Sequence, residues 1–156
     1  MIEEQFEIVA QFAESGIEAI KRTGLRILEL RERYAKVVMP LEGNASHLGT
    51  LYAGSLFILG EFAGGIIHGV SFDYNKYVPI VKEVTVRFIR AAKSDVTMEV
   101  SLSREAAEKI QQTAASEGKS DFQMNIELKD MENEIVAVLD GTWQIRPIPE
   151  SLRLQI

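Results

Sequence analysis

The chain has 156 residues, 46% of them hydrophobic and 26% charged, with a formal net charge of -6. That size suits one domain with a sizeable core, and the acidic balance with no long basic run argues against a nucleic-acid binder, which needs a cationic face to displace counterions. There is no cysteine, which excludes disulfides, thiol nucleophiles and cysteine-ligated metals, and with only two histidines, His47 and His68, a histidine-rich zinc site is not expected.

The opening MIEEQFEIV is acidic and lacks the basic start and apolar run of a secretory signal, so a cytoplasmic location is expected. Residues 2–22 read as one amphipathic helix laid on the outside of the domain. Ile2, Phe6, Val9, Ala13, Ile17 and Ile20 recur at three- and four-residue steps between acidic positions, and Gly24 stops the pattern. Its polar face is acidic, the wrong sign for a membrane-surface helix.

Two β-rich pieces follow, Ile27 to Leu30 and Tyr34 to Met39, flanking the charged turn Arg31-Glu32-Arg33. Pro40 ends the second, because it cannot donate to a ladder. LEGNASHLGT, residues 41–50, has turn chemistry. The next segment, LYAGSLFILGEFAGGIIHGV, is about membrane length but is interrupted by Glu61 and holds five of the chain's eleven glycines. A buried helix over Leu51 to His68, with no membrane insertion, is the better reading.

Beyond a loop at Ser71 to Lys76 the hydrophobic period changes to two. Val84, Val86 and Phe88 alternate with polar residues, as do Val96 to Leu102 and Phe122 to Leu128; a turn at Asp130 to Asn133 leads to a long last strand, Glu134 to Arg146, containing Trp143. Residues 103–118 form a helix between two of these strands, with Ser103 as N-cap and Gly118 as stop. One helix apolar on nearly every face must be enclosed, and strands with one apolar face must curl around something. An α+β hotdog fold, an antiparallel sheet wrapped around the long helix, satisfies both demands. Residues 1–24 would pack on the outside, and residues 25–156 would form the hotdog domain.

An ionised carboxylate costs several kcal/mol, roughly, when buried without a partner, so Glu61 in an apolar helix marks a candidate site. At the helix start the backbone N–H groups of Tyr52, Ala53 and Gly54 lack helical acceptors and can hold a carbonyl oxygen as charge develops on it.

The stretch from Gly49 to Glu61 resembles the signature of hotdog acyl-CoA thioesterases of the phenylacetyl-CoA type: an Asn, a loop, Gly-Thr, His-Gly-Gly, and an acidic residue seven positions after the second Gly. Gly49-Thr50 and Gly54 match, Glu61 has the right spacing, and Asn44 is the loop Asn. Tyr52 and Ala53 replace His-Gly, which brings the chain closer to the uncharacterised thioesterase-like subgroup. The resemblance covers most of residues 25–147, and Val86-x-Phe88-x-Arg90 is similar to the strand before the family's CoA-contacting region.

The resemblance implies hydrolysis of an acyl- or aryl-acyl-CoA thioester. Glu61 would activate water or attack the carbonyl, Ala53 and Gly54 would supply the oxyanion amides, and Asn44 would orient water or carbonyl. Gly49, Thr50, Tyr52 and Phe57 would line the substrate site, and Arg87, Arg90 and Lys93 would meet the CoA phosphates. It implies no metal and no cofactor beyond the coenzyme A of the substrate, and self-association as a dimer or tetramer, with sites between protomers. Two alternatives stand beside it. One is a non-catalytic acyl-CoA or lipid binder; the other is an acyl-thioester dehydratase pairing Glu61 with His47, or with His68.

Overall fold

The computed structural model describes residues 1–152; residues 153–156, the end of the expected hotdog domain, lie outside the described residues. Six strands form one antiparallel sheet: β1 (Arg26–Arg31), β2 (Tyr34–Met39), β3 (Tyr77–Phe88), β4 (Val96–Ser101), β5 (Ser120–Asp130) and β6 (Ile135–Pro147). Their spatial order is β1-β2-β4-β5-β6-β3. The long helix α3 (Ala53–Ser71) lies in the curl of this sheet, α4 (Arg104–Glu117) packs against β5 and β6, and α1 (Glu7–Ser15) and α2 (Glu18–Lys21) precede β1. This is the hotdog arrangement.

The inward faces of the strands build one core. Leu30, Val37, Met98, Ile126, Leu128, Leu139, Trp143 and Ile145 are essentially inaccessible, and Leu59, Phe62, Ala63, Ile66 and Ile67 meet them from α3. Glycine sets how closely helix and sheet approach. A Cβ on Gly60 would overlap Leu139, and one on Gly64 would overlap the Trp143 indole. A row of rings, His68, Phe72, Phe122 and Trp143, continues the core beyond the helix end, with centroids 5.8 to 6.3 Å apart.

Three elements differ from the sequence expectation, each for a local reason. The first helix is broken: α1 ends at Ser15, Ile17 is extended, and α2 starts at Glu18. Ile17 is therefore exposed rather than packed, and Ala10 joins the core instead. Strand β3 starts at Tyr77 instead of Val84. A bulge between Val81 and Glu83 shifts its register, so Tyr77, Pro79 and Val81 fall out of phase with Val84, Val86 and Phe88, which hides the alternation. Pro79 is tolerated because β3 is an edge strand. The long helix spans 53–71, not 51–68, since Tyr52 keeps an extended backbone (φ -62°, ψ 137°).

The helix at 104–117 forms as its punctuation predicts. The Ser103 hydroxyl accepts from the Ala106 N–H, and Gly118 takes the left-handed conformation at φ 79°.

The two sheet edges are treated differently. At β1, the Ile27 N–H donates to Glu14 Oε1 at 2.7 Å, the Leu30 N–H donates to the Met1 carbonyl at 3.1 Å, and the Glu3 N–H donates to the Leu30 carbonyl at 2.9 Å. That edge is covered. At the opposite edge, β3 pairs only with β6 and presents twelve residues, with Val78, Ile80, Val81 and Phe88 exposed.

Candidate functional site

Helix α3 is not enclosed on every side, contrary to its sequence pattern. Leu56, Leu59, Gly60, Ala63, Gly64 and Ile67 are buried, while Ala53, Phe57 and Gly65, which lie on one four-residue repeat through position 61, are exposed. Glu61 falls on this open stripe and is half-buried rather than inside the core. Among the described residues its carboxylate has no hydrogen-bond or ion-pair partner, and burial pushes its pKa above the ordinary carboxylate range. A Cβ on Gly65, one turn along, would meet open space, whereas one on Gly69 would meet Val9 of α1. The N-terminal helix thus closes the stripe at one end and leaves room beside Glu61.

At the helix start the amides divide. The Tyr52 N–H, expected to be free, donates to the Asn44 carbonyl at 2.8 Å, and the N–H groups of Ser55 and Leu56 both donate to the Tyr52 carbonyl, at 3.0 and 3.1 Å. The N–H groups of Ala53 and Gly54 have no acceptor among the described residues. A Ser, Thr, Asp or Asn at the N-cap would take one of the first-turn amides. Tyr52 makes no such side-chain bond, and its ring lies over Gly54, where a Cβ would overlap it.

Asn44 is buried, and its side chain is fully engaged inside the protein. Its Nδ2 donates to the carbonyls of Thr23 (2.6 Å) and Pro40 (2.9 Å), and its Oδ1 accepts from the Ser55 hydroxyl (2.9 Å). Both polar atoms of this side chain thus have partners inside the protein, which gives Asn44 a structural part at the start of α3. Ser55 is the site residue that sequence reasoning passed over. Its signal was a polar side chain inside an apolar helix, the same signal that singled out Glu61.

The preceding loop turns on Gly43 and Gly49, both left-handed at φ 80° and 75°. Thr50 shares a hydroxyl contact of 3.3 Å with Ser46. His47 is exposed in this loop and, among the described residues, makes no hydrogen bond or ion pair with Glu61. His68, on the buried side of α3, donates from Nε2 to the Tyr77 carbonyl at 2.8 Å, and burial drives its pKa down to about 4. The helix dipole would favour a charged His68 at this end; desolvation outweighs it, and the ring is neutral at ordinary pH. Neither histidine pairs with the carboxylate.

Of the candidate cations, Arg87 is exposed and has no ion-pair partner among the described residues, Arg90 pairs with Glu134 at 3.3 Å, and Lys93 is exposed. The single chain has one groove of about 600 Å³ beside α4, lined by Lys82, Lys109, Ile110 and Gln144, and another of about 520 Å³ over the outer sheet face; Glu61 lines neither.

The family described as a domain of unknown function (DUF4442) matches residues 13–145. No curated protein matches the chain in sequence. Among solved structures, a protein of unknown function from Pseudomonas aeruginosa, described as a probable thioesterase, is 37% identical and superimposes with a TM-score of 0.86, over 91% of this chain and 95% of that one. A thioesterase from Haemophilus influenzae shares 18% identity at a TM-score of 0.70, over 94% of both chains. A putative thioesterase from Shewanella oneidensis shares 17% at 0.73, over 94% and 99%. The last two likenesses speak for the fold alone. With the first, they make this chain a thioesterase-like hotdog protein.

Proposed function

The chain belongs to the DUF4442 family, and from that premise we propose that it hydrolyses an acyl- or aryl-acyl-CoA thioester, with Glu61 as base or nucleophile. The observation that carries this reading is the open stripe of α3: a half-buried, unpartnered carboxylate, raised in pKa by desolvation, beside the space over Gly65. A carboxylate raised in this way binds a proton more tightly than a free one, which makes its ionised form a stronger general base.

Helix geometry bears on how the site is assembled. Ala53 and Gly54 precede Glu61 by eight and seven residues on one regular helix, about 10–12 Å along its axis at 1.5 Å per residue. One thioester carbonyl cannot meet both the carboxylate and those amides across that span. The reading therefore takes base and oxyanion donors from two copies of the chain. The uncovered β3 edge and the apolar stripe on α3 are the surfaces for such pairing, since an open edge must be covered or paired. Arg87 and Lys93, without ion pairs among the described residues, are the candidate phosphate contacts, and the pair at Arg90–Glu134 would have to open for Arg90 to join them.

The test is release of free CoA thiol across acyl chain lengths and aryl-acyl groups, alongside light scattering after size exclusion. Turnover by a dimer or larger assembly is expected. Tight acyl-CoA binding with no turnover would make the protein a binder, and a monomer that turns over at micromolar concentration would overturn the shared site.

A further inference from the structure

The described residues bury only six polar or charged side chains, and three of them, Thr23, Asn44 and Ser55, meet at the start of α3. Buried polar groups are costly unless satisfied, and a satisfied network fixes one geometry. Here the chain of bonds is continuous. Thr23 Oγ1 donates to the Ile20 carbonyl at 2.6 Å and accepts from the Leu25 N–H at 3.2 Å, and the Thr23 carbonyl takes Asn44 Nδ2. Asn44 then grips α3 at two points, its carbonyl holding the Tyr52 N–H and its Oδ1 holding the Ser55 hydroxyl. The residues between those two points are Ala53 and Gly54, whose N–H groups have no acceptor among the described residues.

We propose that Asn44 and Ser55 are positioning residues, a clamp that brackets Ala53 and Gly54 and fixes the direction of their two free amides. The role differs from touching water or carbonyl directly, because the clamp acts through backbone it holds. Tyr52 is part of the same device. A capping side chain at that position would consume an amide that the clamp leaves free, and the hold on the helix start comes from Asn44, eight residues upstream, instead. Through Thr23 the clamp also ties the N-terminal segment to the helix start, linking residues 18–25 to the site. The inference rests on the proposed oxyanion role of these amides only for its catalytic consequence.

The experiment compares wild type, Ser55→Ala and Ser55→Thr in the full-length protein. Ser55→Ala removes the donor to Asn44 and leaves Asn44 as it is; Ser55→Thr restores a hydroxyl. In Ser55→Ala the 15N–1H resonances of Ala53 and Gly54 should broaden or split while core resonances of β6 stay single, and Ser55→Thr should return them to one sharp state. With a thioester that wild type cleaves, kcat should fall about tenfold in Ser55→Ala with KM within roughly twofold, since the donors matter most in the transition state. Single, sharp Ala53 and Gly54 resonances in Ser55→Ala overturn the clamp whatever the activity. If Ser55→Thr does not fold, Asn44→Asp takes its place as a second disruption: it keeps the acceptor for Ser55 but loses the Nδ2 donor to Thr23 and Pro40, so it should broaden or split the same two resonances, and sharp ones would overturn the clamp. If wild type cleaves no thioester, the proposed function fails, and the resonances still decide the clamp.

Discussion

Gly64 and Gly65 are neighbours on α3, yet a Cβ at the first would overlap the Trp143 indole and at the second would meet nothing within 4 Å. The helix has two faces with opposite duties. On one, Gly60 and Gly64 let Leu139 and Trp143 seat against the backbone, and the neutral His68 is locked to the Tyr77 carbonyl. On the other, Ala53, Phe57 and Gly65 leave Glu61 facing an unfilled space. Burial moves both titratable groups toward their neutral forms, lowering His68 and raising Glu61. The difference is that, among the described residues, His68 has a partner and Glu61 has none. The first is part of the packing, and the second is the group to which we assign the chemistry.

Substitutions at the two glycines probe this contrast most sharply. Gly64→Val should destabilise the fold by about 3 kcal/mol or more, because neither the helix backbone nor the fully buried indole can move aside. Chemical denaturation monitored by Trp143 fluorescence would read it, and a variant as stable as wild type would contradict the packing account. Gly65→Ala should change stability in the other direction, by roughly 0.5–1 kcal/mol, as expected for Gly to Ala in an exposed helix interior.

Acid sensitivity separates the two ionisable groups. The His68 pKa falls from the ordinary 6.5 to about 4 on folding, so its contribution is complete above 6.5 and is lost as pH drops through that window toward 4. The loss is at most roughly 3 kcal/mol. The raised pKa of Glu61 has the reverse sign. Its ionised form weakens folding as pH rises through the raised value, and acidification relieves that cost. In thermal melts from pH 7 to 4, His68→Gln should flatten the acid loss. Glu61→Gln should leave the acid loss in place and hold or raise Tm at neutral pH. A steeper acid loss in His68→Gln would contradict the buried-neutral assignment.

Self-association should respond to the open edge rather than the covered one. Phe88→Lys, on the exposed β3 edge, should shift the assembly toward monomer in light scattering. Glu32→Lys, an exposed change in the turn after β1, should leave it unchanged.

Much of this was readable in the chain and some was not, for physical reasons. The α4 limits followed from Ser103 and Gly118, because cap chemistry is local. The sheet followed from two-residue alternation, except where the β3 bulge broke the phase between Val81 and Val84. The apolar pattern of α3 could not reveal its open stripe, since Ala53, Phe57 and Gly65 on the open side are as apolar as the residues facing the core. Asn44 was visible as a polar residue in a turn; that its Nδ2 also donates to the Thr23 carbonyl, 21 residues away, depends on how the N-terminal segment packs.

The central claim is that Glu61, on the open face of α3, acts on a thioester, and the most direct measurement is CoA-thiol release by wild type and Glu61→Gln at matched folded fraction. The account predicts turnover by wild type and a loss of about 100-fold or more in the variant, with Tm unchanged or higher. Full activity in Glu61→Gln would contradict it.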